Sequence, residues 1–342
     1  KDQPKLLNEV ELQQLFNELF QIFDKTEASR LSLLKEEKQK QKEIDEHANN
    51  PKDEEEDDDS TEMENLQNIK DEIDEIEDVV TSFTDVVGAI FKSHKELSLP
   101  IIKKMLTEVL PKYLNDTSSN FEKKMGLFIL DDMVEFLGQQ LLNDVWASIV
   151  KIYLPFIESP ICELRQAASY GLGQFVEHTK ENYEPYANDI YNALQRGILV
   201  PGDGADEDEY LSAQDNIVTA IGKMIKFQGK CYNISQLVPQ WLSHLPILND
   251  TVESPGMHDL LCDIIMTNPS VVFGANNENV SKVIRVLCKI AESSKLSNKD
   301  IDKKIEKILL EMKGNDTFKP FIEKAKSEAK KNVRVKIEKY FA

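Results

Sequence analysis

The side chains best placed for chemistry in this sequence are carboxylates, and they form two short clusters. In the first, Asp131 and Glu135 are four residues apart and share one helical face, with Asp132 beside them. The second is an acidic run that contains Asp203, Asp206, Glu207, Asp208 and Glu209. Clustered carboxylates attract basic groups, so both clusters are candidate contacts for a basic protein partner. A solvated helix face and a solvated loop between helices account for the same patterns.

The other polar residues lack the spacing of a catalytic or metal site. The five histidines show no HExxH pattern and accompany no nucleophile motif. The four cysteines form no CxxC pair, and no histidine completes a zinc pattern. The run 203–209 lacks the glycine and closing glutamate of a calcium loop. The sequence therefore predicts a protein that is not an enzyme and that binds no metal or cofactor.

Charge is spread unevenly along the 342 residues, whose formal net charge is −20. Residues 53–78 contain fifteen acidic side chains and one lysine, whereas residues 319–342 contain eight basic and three acidic side chains. A phosphate backbone needs basic stripes, so the composition argues against nucleic acid and favours basic proteins as partners. No apolar run approaches the roughly 18 residues of a membrane span, so no membrane association is predicted.

Apolar residues recur every three or four positions along most of the chain, the spacing of one helical face. The run 53–59 is an exception, because seven adjacent carboxylates repel one another. It predicts an acidic disordered insertion over residues 48–65, after the first helix of an opening repeat in residues 1–47. Further helix pairs are predicted at 97–114 with 119–138, 142–158 with 162–179, 183–197 with 208–227, 234–245 with 256–267, and 279–293 with 298–313.

Prolines mark a repeat within these pairs. Pro111, Pro155 and Pro239 each follow a leucine or valine, at intervals of 44 and 84 residues, and the second interval is twice 42. A period in the low forties with two helices per unit is typical of HEAT and armadillo repeats. We therefore predict an all-α, right-handed α-solenoid of about six HEAT-type helix pairs. The array spans residues 66–313, and one capping helix is predicted within residues 314–342.

Four segments resemble the karyopherin beta-three (importin five) subgroup of the importin-beta superfamily, in the same order and at similar spacing. They are Gly126–Glu135, Leu164–Gly173, Ala220–Phe227 and Pro239–Pro246. The second also resembles the HEAT signature, in which a hydrophobic residue and arginine open a helix and two alanines let helices approach. The first sixty residues resemble the family more loosely, and the lysine-rich C-terminal helix departs from it.

The resemblance implies a nuclear import receptor that shuttles between cytoplasm and nucleus as a monomer. Such receptors carry cargo proteins with basic localisation signals, bind FG nucleoporins, and release cargo to Ran GTPase. The similar segments lie in the family's C-terminal repeats, so Ran is expected to bind mainly N-terminal repeats absent from this sequence. The two acidic clusters would then hold cargo. A HEAT-repeat scaffold subunit of another complex is the alternative, although a scaffold would not share the segment from Asp131 to Glu135.

Overall fold

The computed structural model describes residues 7–49, 56–138, 143–202 and 204–342, and no strand occurs in these ranges. The chain forms two compact units, residues 1–140 and 141–342. The first unit contains α1 (Glu9–Asn49), α2 (Glu56–His94), α3 (Leu99–Lys104), α4 (Leu110–Tyr113) and α5 (Asn120–Leu137). The second contains α6 (Asn143–Ile157), α7 (Cys162–His178), α8 (Ala187–Gly197), α9 (Glu207–Gln228), α10 (Ile234–Ser243), α11 (Ser254–Thr267), α12 (Pro269–Phe273), α13 (Val280–Ile290), α14 (Lys299–Lys313), α15 (Lys319–Glu328) and α16 (Lys331–Phe341). The predicted all-α class is confirmed.

In the first unit, α1 and α2 form a long hairpin joined by aromatic contacts. The ring centroids of Phe16 and Phe91 are 5.8 Å apart, and those of Phe23 and Phe83 are 5.1 Å apart. Since the partner number falls as the α1 number rises, the two helices are antiparallel. The aromatic residues recur at helical spacing on α1, so its apolar face is buried against α2.

A buried guanidinium holds three helices of the first unit together. Arg30 of α1 is 2% exposed and donates to Glu27 on its own helix at 2.7 Å and to Glu77 of α2 at 2.9 Å. It also donates to Ser119 Oγ at 2.9 Å, and Ser119 is the N-cap of α5. The ring of Phe121 lies 4.5 Å from the guanidinium carbon, a cation–π contact. Arg30 therefore links α1 and α2 to the start of α5.

The predicted helix 97–114 is bent rather than continuous. Residues 105–109 form a π turn between α3 and α4, in which the Leu110 N–H donates to Met105 O. Pro111 follows directly, and its ring cannot continue a regular α-helical ladder. Helix α5 then packs on α4 and α2. The leucine–proline mark at 110–111 therefore coincides with a local bend.

The second unit is a stack of helix pairs. Its pairs are α6 with α7, α8 with α9, α10 with α11, α13 with α14, and α15 with α16. The second helices pack in succession, α7 on α9, α9 on α11, α11 on α14, and α14 on α16. Small residues allow this approach, since a Cβ atom added to Gly173 would lie 3.7 Å from Ala220 Cα. The arrangement confirms the HEAT-type fold class.

Residues 314–342, for which one capping helix is predicted, form two helices in the structure. Helix α15 ends before Ala329 and α16 begins after Lys330, and both intervening residues have extended backbone. Because of this break, the side chains of Val333 and Ile337 are buried and α16 packs against α14. The segment is thus a complete helix pair, and the described residues contain seven pairs.

The predicted disordered insertion at 48–65 is also too long. Residues 48–49 end α1, and residues 56–65 belong to α2; residues 50–55 lie outside the described residues. Leu66 is 3% exposed and begins the buried stripe of α2. Extending an existing helix costs far less than nucleating one, so the packed part of α2 carries the helix into the acidic segment.

Two buried polar side chains hold the segment between α10 and α11. The Asp215 carboxylate of α9 accepts backbone hydrogen bonds from Leu248 at 3.0 Å, Asn249 at 2.6 Å and Asp250 at 3.2 Å. His258 of α11 is fully buried; its Nδ1–H donates to Leu296 O at 2.8 Å, and its Nε2 accepts from the Ile247 amide at 3.2 Å. The bond to the Ile247 amide requires a neutral His258, because only an unprotonated ring nitrogen accepts.

We expect His258 to make the second unit sensitive to mild acid. Burial lowers the pKa of His258 to about 4, whereas an unfolded histidine titrates near 6.5. The unfolded chain therefore binds the proton more readily, so stability is complete above pH 6.5 and falls as the pH drops towards 4. The loss reaches about 3 kcal/mol.

Urea unfolding between pH 7.5 and 4.5 measures this effect, with His258→Gln and His244→Gln compared against the parent. The His258 variant should lose most of this pH dependence, whereas the variant of His244, whose pKa is lowered less by partial burial, should keep most of it. An unchanged pH dependence in the His258 variant would contradict the prediction.

None of the helices in the described ranges combines the length and the apolar character that crossing a membrane requires.

Candidate protein-binding site

The first acidic cluster lies on α5, where this helix packs against α2. Asp131 is 5% exposed, whereas Asp132 and Glu135 are half-buried. The rotation of α5 about its axis thus places Asp131 in the interior and its neighbour at the surface. Of the three predicted residues, Asp132 and Glu135 are accessible to a partner, and Asp131 is not.

Asp132 sits against a glycine of α2. A Cβ atom added to Gly88 would lie 2.0 Å from Asp132 Oδ2. Glycine is therefore the residue that leaves room for this carboxylate between the two helices. The contact removes part of the carboxylate's hydration, which disfavours its charged form.

Other charged groups around Asp132 add to this effect. Burial, and then repulsion from Glu135 and from Asp85 of α2, raises the pKa of Asp132 to about 7, although Lys92 acts in the opposite direction. Lys92 Nζ lies 5.3 Å from the ring centroid of Phe136. Near neutral pH, Asp132 is therefore divided between its neutral and charged forms. The carboxylates of Glu135 and Asp85 repel its charged form, and Lys92 attracts it. An additional cation would relieve their repulsion.

Asp85, Gly88 and Lys92 are part of this site, and the sequence patterns above did not single them out. They lie on α2, about forty residues before Asp132. Asp85 and Lys92 are seven residues apart with Gly88 between them, a spacing that places all three near one face of a helix. The pairing of α2 with α5 is a tertiary contact, and it is needed to connect that face with Asp132.

The second acidic cluster lies at the start of α9. Asp206 is the N-cap residue, and its Oδ1 accepts a hydrogen bond from the Asp208 amide at 2.9 Å. Glu207, Asp208 and Glu209 are exposed in the first helical turn, where the positive end of the helix dipole favours acids. Asp203 lies outside the described residues. The two clusters belong to different compact units, so each is a separate candidate site.

The described ranges contain no metal-ligand cluster, and most of their cysteines are buried. No group of three or more histidine, cysteine, aspartate or glutamate residues is placed there to hold a metal ion. Cys162, Cys262 and Cys288 are buried free thiols. Burial raises the pKa of Cys262 and Cys288 to about 12, so both remain protonated and poorly nucleophilic at neutral pH.

Comparison with known proteins adds a relationship to this geometry. No protein-family model matches the chain. The probable importin-5 homolog of Dictyostelium discoideum is 28% identical over 191 residues, which are 54% of this chain and 17% of that protein. The importin subunit beta-3 of Saccharomyces cerevisiae is 25% identical over 165 residues, 47% of this chain and 15% of that protein. About half of the chain is homologous to these two importins. The chain spans about a sixth of the length of the curated relatives it matches.

Two solved structures of designed proteins resemble this chain loosely. One is a computationally designed armadillo repeat protein for modular peptide recognition, 14% identical, with a TM-score of 0.33 over 76% of this chain and 91% of that one. The other is a designed armadillo repeat protein in complex with the peptide (KR)4, 15% identical, with a TM-score of 0.34 over 77% and 92% of the two chains. Similarity this low assigns no role to any residue.

Proposed function

We propose that this chain is part of a nuclear import receptor that binds cargo proteins with basic localisation signals. The observation that carries the proposal is the half-buried carboxylate of Asp132, beside Glu135 and Asp85, in a chain homologous to importins. The protein acts by binding rather than by catalysis. It moves between cytoplasm and nucleus and contacts FG nucleoporins, and Ran·GTP acts mainly on other repeats of the receptor.

A basic side chain gains more at this site than at an exposed carboxylate. Charges in a partly desolvated site interact more strongly because less water screens them. A lysine or arginine from cargo also relieves the repulsion between Asp132, Glu135 and Asp85. This repulsion destabilises the free protein and is relieved in the complex. The difference favours binding.

The second cluster is expected to contribute less. Glu207, Asp208 and Glu209 are exposed, and surface ion pairs contribute about 0.2–1 kcal/mol each. Their place in the first turn of α9 is already explained by capping and by the helix dipole. They would attract a basic partner at long range and hold it weakly.

The experiment measures binding of a fluorescein-labelled lysine-rich peptide by fluorescence anisotropy at low salt. Neutralising both accessible acids in Asp132→Asn/Glu135→Gln should weaken binding about tenfold, since about 1.4 kcal/mol corresponds to that factor. The parent should bind several-fold more tightly at pH 8 than at pH 6, because Asp132 is mostly charged at pH 8. The variant should lose this pH dependence.

Two matched variants of equal charge change serve as controls. Asp208→Asn/Glu209→Gln tests the second cluster, and Glu306→Gln/Glu311→Gln removes two exposed acids of α14. Both should weaken binding by less than threefold. An equal loss in all three variants would mean that the peptide senses only net charge. An unchanged affinity in the Asp132 variant would remove this cluster from the cargo site.

A further inference from the structure

A cleft of about 390 Å³ in the second unit carries charge opposite to that of the whole protein. It lies between α13, the junction of α15 with α16, and the segment that follows α10. The apolar side chains that line it are Leu245, Pro246, Val286, Ala329 and Val333. The charged side chains that line it are Lys282, Arg285, Lys289, Lys330 and Glu328. Four cations thus meet one carboxylate, in a chain whose net charge is −20.

Local sequence explains how these cations come together. Lys282, Arg285 and Lys289 follow one another at intervals of three and four residues, so they share one face of α13. The opposite face is buried, as at Ile284. Lys330 reaches the same cleft because the chain breaks between α15 and α16 and turns there.

Arg285 already has a carboxylate partner, and three lysines do not. Arg285 contacts Glu328, which also accepts a hydrogen bond from Ser281 at 3.3 Å. Lys282 donates to Ser243 O at 2.7 Å, a neutral acceptor. In the part of the chain that the structure describes, Lys282, Lys289 and Lys330 contact no carboxylate. The cleft therefore holds three positive charges that no neighbour offsets.

The crowding of these charges disfavours their protonated forms. Partial burial and the nearby Lys330 lower the pKa of Lys289, and burial and Arg285 lower the pKa of Lys282. Helix α16 adds to the positive potential. Its N-cap residue is Lys330, no side chain caps its first turn, and Asn332 of that turn lines the cleft. The positive end of the helix dipole therefore borders the cations.

We infer that this cleft binds a short acidic segment of a partner protein, with carboxylates on Lys289 and Lys330 and one apolar side chain against Val286 and Val333. The cations select an anion, and the apolar lining selects an anion that carries hydrophobic surface. A volume near the lower end of ligand pockets, about 300–1,000 Å³, suits a few side chains. A free phosphate would leave the apolar lining uncovered. A nucleic acid backbone offers phosphates but no apolar side chain for that lining.

This inference is independent of the proposed cargo site, which lies in the first unit and takes the opposite charge. The probe is a fluorescein-labelled peptide in which four glutamates flank one leucine, and anisotropy reports its binding. The test variant is Lys289→Gln/Lys330→Gln, whose two side chains are exposed, so the fold should persist. The matched control is Lys299→Gln/Lys307→Gln, which removes two exposed lysines of α14.

We expect the test variant to bind the peptide at least tenfold more weakly than the parent, and the control to bind within twofold of it. A peptide with serine in place of leucine should lose about fivefold or more. No binding by the parent, or equal loss in both variants, would overturn the inference. So would equal affinity for the serine peptide together with displacement by inorganic phosphate, which would identify a simple anion site. Binding that weakens as protein concentration rises would instead assign the cleft to a second copy of the chain.

Discussion

Replacing Asp132 with asparagine is expected to raise the free energy of unfolding by about 4 kcal/mol at pH 8. The pKa of this carboxyl rises from 3.8 to about 7 in the folded protein. The folded state therefore holds the proton more tightly than the unfolded state does. Stability of the parent falls as the pH rises from 3.8 through 7 and then levels off. Asparagine carries no charge, so the variant does not lose this stability as the pH rises.

Urea unfolding at pH 4.5 and pH 8 measures the difference between the Asp132→Asn variant and the parent. The gain should be small at pH 4.5 and several times larger at pH 8. Asp78→Asn is the matched control, since Asp78 is exposed on α2 and the charge change is the same. Equal stabilisation by both variants would indicate a general effect of net charge.

This stabilising change should also weaken the binding of a basic peptide. A residue that costs stability in the free protein and strengthens a complex is typical of a binding site. A residue that merely occupies a solvated surface would change neither quantity. The two measurements on one variant therefore separate a binding site from a solvated face.

Replacing Arg30 with methionine should destabilise the first unit by about 3–5 kcal/mol. Methionine fills part of the space but leaves the carboxylate of Glu27 buried without its cation; Glu27 is 6% exposed. The substitution also removes the bonds to Glu77 and to Ser119. The helices α1, α2 and α5 would lose their common partner. Denaturant unfolding followed by circular dichroism measures the loss.

A double variant distinguishes the charge from the packing. Replacing both Arg30 and Glu27 with methionine removes the buried pair as a whole, and such replacements are often close to neutral. We expect the double variant to recover at least half of the stability lost in Arg30→Met. Arg196→Met, which removes an exposed ion pair with Glu158, is the control and should cost much less than Arg30→Met. A double variant as unstable as the single one would show that packing dominates.

The helix pairs of the second unit follow from sequence because their signals are local. The turn before Cys162, which contains Pro160, marks a boundary that depends on neighbouring residues alone. The break at Ala329 has no such mark, because apolar residues continue at helical spacing on both sides. Both resulting helices pack on α13, and they differ in that α16 also packs on α14. Only the stacked pairs reveal that difference.

The candidate sites were predictable in part. The carboxylates of α5 stood out by spacing, but the burial of Asp131 depends on how α5 is rotated against α2. The role of Gly88 depends on a contact between α2 and α5, which no local sequence pattern predicts. The basic cleft is less visible still, since Leu245, Lys289 and Lys330 come from three separate segments. Local pattern thus predicted the elements, and tertiary contact decided which side chains meet.

The succession of second helices in the second unit, from α7 to α16, has a consequence for how the chain acquires its structure. Each of these helices packs on the next one along the sequence, so the contacts join neighbouring segments. The stability of such a row is approximately a sum of pair and interface contributions, and folding can nucleate at any pair and propagate in either direction. A substitution that weakens one interface therefore acts mainly on that interface. The helix pairs on either side stay folded, and the weakened segment can refold against them.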